Sequence, residues 1–315
     1  MKQDFLKKIE QADSIAIIGH IRPDGDCVGS CLGLYNYIMD VYPDKKAVVF
    51  LQQIADKFVF LRGSESICNV PQKTVFDLAV SLDCGDTDRH GEFAMIFSSA
   101  RDTICLDHHR SNQGFGNLFY CDEKASSTCE VLYRFLDEDK IMTECAECLY
   151  LGIVHDTGVF KYPSTKEETM QIAGTLITKG ARSQFIIDHT FYMVRFDQNR
   201  LTGRALLDAR LYFEGQVIAT CVTEELFREY GCTKADTDGI IDKIRVTEGV
   251  EVAIFVYQLT EDTYKYSLRS VSYVDVSKIA VAFGGGGHIR AAGFEAKGPY
   301  EEHFTKILDM IYEQL

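Results

Sequence analysis

The sequence predicts an α/β protein: a mostly parallel sheet flanked by helices, followed by a second, smaller mixed-sheet α/β domain. Short β-branched runs alternate with helix-spaced segments as far as about residue 190, the pattern of a parallel sheet covered on both faces. The pattern then changes to one helix followed by three strand-like runs. The length of 315 residues suits two domains of roughly 100–200 residues each.

Residues 14–20, Ser-Ile-Ala-Ile-Ile-Gly-His, read as a strand, Arg22-Pro23-Asp24-Gly25-Asp26 as a loop, and Cys27 to Met39 as a helix. Lys46 to Leu51, Val75 to Leu82 and Thr103 to Leu106 are further strands, and Ser127 to Leu136 is a helix. In the second half, Asn199 to Arg210 reads as a helix, and Leu211 to Thr223, Glu251 to Leu259 and Thr263 to Ser270 as strands. The expected division is a first domain over 1–185, a helical linker over 186–205 and a second domain over 206–315.

Apolar residues at 46% and charged residues at 25% exclude a disordered or low-complexity chain. The net charge of −14 excludes a protein that tracks long duplex nucleic acid, which needs a basic face to release counterions. The second domain is itself acidic, with 11 basic and 18 acidic side chains over 206–315. A small phosphorylated substrate at one local site remains compatible with that balance. Eleven cysteines without a paired framework, after an opening Met-Lys-Gln-Asp-Phe with no apolar leader, lead to the expectation of a reducing compartment, the cytoplasm. No apolar run is long enough for a membrane helix.

Four acidic or histidine-bearing clusters fall just past strand or helix ends: His20 with Asp24 and Asp26, then Asp83, then Asp107-His108-His109, then Asp156. In an open parallel sheet the loops at the carboxyl ends of the strands converge on one crevice, so these positions can share a site. Four carboxylates there repel one another unless cations neutralise them. Two divalent ions match the charge of Asp24, Asp26, Asp83 and Asp156, and histidines add nitrogen ligands with no thiolate required. That donor set suits Mn²⁺ better than structural Zn²⁺, with Mg²⁺ or Fe as alternatives. Two such ions about 3.5–4 Å apart would acidify a shared water and stabilise the transition state at phosphorus, so no Ser or Cys nucleophile is needed. Taken singly, Asp-Gly-Asp is an ordinary turn, and only the joint arrangement carries the reading. Asp86, Asp88 and His90 read as solvated loop groups, and His189 and His303 as surface or partner-satisfied residues. Cys27 and Cys31, one helical turn apart, and Cys145 and Cys148 read as packing residues.

Gly284-Gly285-Gly286-Gly287-His288 can expose consecutive backbone N–H groups as a concave anion site, with His288 donating to a phosphate oxygen. A structural turn is the alternative. Arg269 offers a guanidinium fork for phosphate or a surface for a base.

Gly19-His20-Ile21-Arg22-Pro23-Asp24-Gly25-Asp26 with Gly29-Ser30, then Asp83, Asp107-His108-His109 and Asp156, resemble in order the motifs of the DHH phosphoesterases. Gly284 to Gly293 resembles the signature of the DHH-associated C-terminal domain. The length and domain pair look most like the branch of oligoribonucleases and adenosine 3′,5′-bisphosphate phosphatases that includes enzymes acting on cyclic di-AMP or its linear product. The resemblance implies Mn²⁺-dependent release of nucleoside 5′-monophosphates from very short RNA. It implies metal ligation by His20, Asp24, Asp26, Asp83, His108 and Asp156, orientation of the histidines by Asp107, and substrate contact by His109. Arg269, Gly284, Gly285, Gly286, Gly287 and His288 would grip the far phosphate in a cleft between domains, with Ser126, Ser127 and Thr128 also lining it unless they only cap a helix. A homodimer is a further expectation of the family. The competing readings are a catalytically silent nucleotide-binding module and an inorganic pyrophosphatase.

Overall fold

The computed structural model describes residues 1–315, which divide into two units, Met1–Met193 and Val194–Leu315. The first contains α1 (Lys2–Gln11), β1 (Ser14–Ile18), α2 (Gly25–Val41), β2 (Lys46–Phe50), β3 (Leu78–Leu82) and α3 (Ala94–Ser99). It continues through β4 (Asp102–Asp107), β5 (Leu118–Cys121), α4 (Thr128–Phe135), α5 (Thr143–Asp156), α6 (Glu167–Thr178) and α7 (Ser183–Ile187). All five strands are parallel, in the order β2-β1-β3-β4-β5.

Strands β1 and β3 are almost wholly apolar and buried because helices cover both faces of the sheet. Ile15, Ile17, Val80 and Leu82 pack into the core that includes α2, α4 and α5, while Ala16, Ile18 and Ala79 pack against Phe93 and Ile96. The strand order reverses on either side of β1. The carboxyl ends of β1 and β3 therefore flank the crevice where open α/β sheets hold ligands.

The second unit contains α8 (Phe196–Leu207), β6 (Arg210–Tyr212), β7 (Val217–Val222), α9 (Glu224–Tyr230), α10 (Ile240–Arg245) and β8 (Val252–Thr260). It ends with β9 (Thr263–Ser270), α11 (Val276–Ala282), β10 (Gly286–His288), β11 (Ala291–Lys297) and α12 (Tyr300–Tyr312). Its sheet runs β10-β11-β9-β8-β7-β6, and only β7 and β8 pair in parallel. Ile254, Tyr266 and Phe294 face α11 and α12, whereas Ile218, Ala253 and Phe255 face the α8–α10 layer.

The α/β class and the mixed second sheet agree with the expectation. Two details differ. The run 211–223 is two strands, broken where Phe213 and Glu214 take positive φ. The segment 186–205 is no separate linker, because α8 packs Leu201 and Ala205 into the second unit's core. No helix is long and apolar enough to cross a membrane.

Candidate active site

The acidic cluster assembles at the carboxyl ends of β1, β3 and β4. Beyond β1, the Asp24 side chain caps α2 by accepting the backbone N–H groups of Asp26 and Cys27, each at 3.1 Å. That cap starts the helix so that Asp26 points inward and is fully buried. The Asp26 carboxylate accepts two amides from the N-terminus of α4, Thr128 N–H at 2.6 Å and Cys129 N–H at 2.9 Å. A helix N-terminus is where a carboxylate is best tolerated, so α4 orients Asp26 and offsets part of its desolvation.

Asp83 follows β3 directly, and its φ of 60° is a left-handed conformation costly for most residues and mildest for Asn and Asp. Its Oδ1 accepts Thr128 Oγ1–H at 3.0 Å. Asp83 lies between two histidines, with Oδ2 at 3.4 Å from His20 Nε2 and Oδ1 at 3.6 Å from His108 Nε2. On one side Asp24 Oδ1 lies 3.7 Å from His20 Nε2; on the other, His108 Nε2 lies 3.2 Å from Asp156 Oδ2 and 3.9 Å from Asp26 Oδ2. One carboxylate thus faces both histidines. His20 Nδ1 lies 2.8 Å from Ile21 O and 3.1 Å from Arg89 Nη2, while Nε2 faces the carboxylates.

None of Asp24, Asp26, Asp83 and Asp156 is paired with a lysine or arginine. Burial and the charges of Asp83 and Asp156 push the Asp26 acid well above the usual carboxylate range, and burial together with Asp83 raises Asp156. Burial opposes charge on the histidines, but the carboxylates outweigh it: His20 is raised, and His108 is pushed up to about 10. The site is therefore a field that favours cations, and its carboxylate and imidazole donors fit divalent metal ions.

A stability prediction follows for the metal-free protein. An unfolded histidine titrates near 6.5, so between pH 6.5 and 10 the folded chain holds protons that the unfolded chain has lost. Stability should fall as pH rises through that window. The buried His90 and His155, both lowered to about 4, release their protons below it. Melting curves in chelator should show Tm declining from pH 6.5 to 10 and a flatter profile with saturating Mn²⁺; a chelated Tm that rises across the window refutes the field argument.

The structure brings together all six residues expected as metal ligands, with differences of detail. Asp24 lies at the margin, its side chain 60% exposed and one oxygen engaged in the cap. Asp107 is fully buried, with Oδ1 at 2.8 Å from His109 Nδ1 and Oδ2 accepting Asn112 Nδ2–H at 2.7 Å, and its carboxylate also meets the backbone N–H of His108. His109 is raised by Asp107 and is 44% exposed, free to meet a ligand. Ser127 is fully buried, and its hydroxyl accepts Glu130 N–H as the cap of α4, the alternative that the sequence leaves open. His90 is not solvated, since it is buried against Phe97 and Phe115 with Nε2 at 2.7 Å from Ser81 Oγ. Two contributions lie outside the sequence reading: Thr128 holds both Asp26 and Asp83, and Cys27, expected only to pack, places its sulfur beside His20 and Asp83.

In the second unit the glycine run forms no open nest of amides. Gly284 and Gly285 close α11 as a Schellman motif, donating to Val281 O and Ala280 O. Gly286 to His288 form the edge strand β10. A Cβ at Gly285 would lie 2.4 Å from Gly293 O, and one at Gly287 would lie 2.5 Å from Ala291 O, so close strand packing requires both glycines. Gly286 meets neither constraint: its φ is ordinary and the space above it is open. Register places His288 opposite Ala291 and Ala291 opposite Arg269, so these three share a sheet face, alongside Gly286, Gly293 and Ser267. The result is a platform of small residues between a histidine and an arginine. The Arg269 guanidinium has no carboxylate partner and touches only Leu268 O.

Residues 14–153 match the DHH family, N-terminal domain, and residues 214–315 match the DHHA1 domain. The chain is 26% identical over 298 residues to the bifunctional oligoribonuclease and PAP phosphatase NrnA of Bacillus subtilis (strain 168), covering 93% of this chain and 92% of that one. To the protein of the same name from Thermus thermophilus it is 28% identical over 322 residues, covering 99% and 93%. Among solved structures it is similar to an exopolyphosphatase-related protein from Bacteroides fragilis, with a TM-score of 0.85 at 28% identity over 99% of this chain and 95% of that one.

Proposed function

This chain belongs to the DHH phosphoesterase family, and from that premise we propose that it hydrolyses short oligoribonucleotides and small nucleotides to nucleoside monophosphates. Adenosine 3′,5′-bisphosphate and linear or cyclic diadenylate are the small nucleotides in view. The observation that carries the reading is Asp83, buried between His20 and His108 with one oxygen toward each. His20, Asp24 and Asp83 would hold one divalent ion, and Asp26, Asp83, His108 and Asp156 a second, with Mn²⁺ the first candidate. Bound there, such ions neutralise the carboxylates, lower the pKa of water and stabilise charge on the phosphoryl oxygens.

The chain's own groups supply the rest. Thr128 holds Asp83 in place, and the amides of α4 hold Asp26, so the donors are arranged before substrate arrives. Asp107 keeps a proton on His109 Nδ1 and raises that ring's basicity. His109 is thereby suited to carry a second proton at Nε2 and to pass it to the oxygen leaving phosphorus. Arg269, with no competing carboxylate, would bind a distal phosphate of the substrate, and Gly286 would let the ligand approach the strand backbone closely.

The test is a panel of short RNAs, adenosine 3′,5′-bisphosphate, diadenylates and pyrophosphate assayed with Mn²⁺ and with chelator. Turnover that depends on the ion supports the proposal; binding without turnover identifies a silent nucleotide-binding module instead, and turnover of pyrophosphate alone a pyrophosphatase. In the same assay Arg269→Ala should raise KM by roughly 10- to 100-fold with kcat nearly unchanged, the loss of one charge-assisted contact made equally in ground and transition states. A fall in kcat with constant KM would place Arg269 at the reacting phosphate instead.

A further inference from the structure

Cys27 stands in the first turn of α2, directly after Asp26. Its sulfur, a ring nitrogen of His20 and a carboxylate oxygen of Asp83 all lie within 4.8 Å of one another, and all three residues are buried. The sulfur position is tightly defined. Asp24 caps the Cys27 N–H at 3.1 Å, which fixes the start of the helix, and Cys27 Sγ accepts the backbone N–H of His20 at 3.2 Å. Gly19 leaves room for it: a Cβ there would lie 2.4 Å from Cys27 Sγ. The glycine before His20 thus leaves room for the thiol and equally for Leu51, whose Cδ2 would lie 2.5 Å from the same Cβ.

The two halves of the centre differ in consequence. Around His108 the donors are Asp26 and Asp156, carboxylates and one imidazole. Around His20 they are one imidazole, the carboxylates of Asp83 and the more exposed Asp24, and one sulfur. A thiolate donor shifts preference toward Zn²⁺, Co²⁺ and Fe²⁺, whereas an oxygen-rich set suits Mn²⁺ and Mg²⁺. We propose that Cys27 Sγ is a ligand of the ion held by His20 and Asp83, making that half of the centre thiophilic beside a harder half at Asp26, His108 and Asp156. This rests on the dinuclear reading above and replaces, for one half, the expectation that no thiolate takes part. On ligation the S–H bond would break, its electron pair going to the metal and its proton to solvent, so Cys27 would contribute one released proton of its own, beside any lost from His20, with no change of oxidation state.

Titration of the metal-free full-length chain with Co²⁺, followed by absorption, tests it. Visible ligand-field bands together with a near-ultraviolet thiolate-to-cobalt charge-transfer band are expected. Cys27→Ser should keep the ligand-field bands and lose the charge-transfer band, and Cys31→Ser should keep both. Ligand-field bands without charge transfer in the wild type overturn the role of Cys27 and leave the dinuclear reading standing; no cobalt bands at all overturn the dinuclear reading itself. Should Cys27→Ser fail to fold by circular dichroism, ¹¹³Cd resonance of the wild-type chain decides, with a strongly downfield thiolate shift expected and an oxygen–nitrogen shift refuting the ligand.

Discussion

Replacing Asp83 by asparagine is expected to lower kcat by at least about 10³-fold, with substrate binding retained. Residues that only orient a ligand cost about 10- to 100-fold when removed, and Asp83 is placed to do more than orient. Its two oxygens face His20 and His108 separately, so asparagine removes the negative charge that both proposed ion sites would share and puts an amide nitrogen in place of one of the two oxygens. Asparagine is the informative substitution. At φ 60° it is among the few residues that tolerate the left-handed backbone, whereas alanine adds strain to the loss of charge. Asparagine also keeps an oxygen for Thr128 Oγ1, so the fold should survive. Mn²⁺-dependent hydrolysis of a diribonucleotide, with metal stoichiometry measured on the same sample, checks the claim. A fully active Asp83→Asn would dismantle the ligand assignment, and a variant that binds two ions but does not turn over would shift Asp83 from ligand to reacting group.

The parallel sheet was legible because its strands are short buried runs with helix-spaced segments between them, and the acidic clusters were legible because each falls just beyond such a run. The supports of those clusters were not. Asp26 is held by amides about a hundred residues away in the chain, and backbone N–H groups carry no sequence signal. Thr128, a hydroxyl at the start of a helix, has the same sequence signal as Ser127 beside it, which does the capping. The glycine run misled for a related reason. Composition cannot separate a glycine needed for positive φ, as at Gly284, from one needed because a neighbouring strand passes within 2.5 Å, as at Gly287, or from one with neither need, as at Gly286. Cys27 reads from the sequence as a packing residue because buried cysteines are common core residues and this chain has ten others. What distinguishes it is the loop before α2 folding His20 back over the first turn, which is a tertiary fact.

The second large effect is expected from a residue with no functional side chain. Gly152 lies on α5, and a Cβ there would sit 2.2 Å from Cys129 Sγ and 2.7 Å from Asp26 Oδ1. Neither neighbour can retreat easily, because the Cys129 N–H is bonded to Asp26 and Asp26 is held by both amides of α4. Gly152→Ala gains about 0.5–1 kcal/mol of helix propensity but costs about 1–3 kcal/mol in overpacking, and contacts this short belong at the upper end. A net loss of about 2 kcal/mol lowers Tm by roughly 4–8 °C in a unit of this size. The more telling consequence is chemical: pushing the Asp26 carboxylate aside should weaken Mn²⁺ binding. Gly33→Ala is the control, since its Cβ would face Leu149 and Cys148 on the same helix pair, no closer than 3.1 Å and away from the carboxylates. Calorimetric Mn²⁺ titration of both variants separates the two effects. If Gly152→Ala loses stability but binds Mn²⁺ as tightly as wild type, the tight approach of α5 to α2 and α4 serves only packing; if metal affinity falls in Gly152→Ala and not in Gly33→Ala, the helix crossing is part of the metal centre, with a bare backbone position acting as a wall against which the Asp26 carboxylate is set.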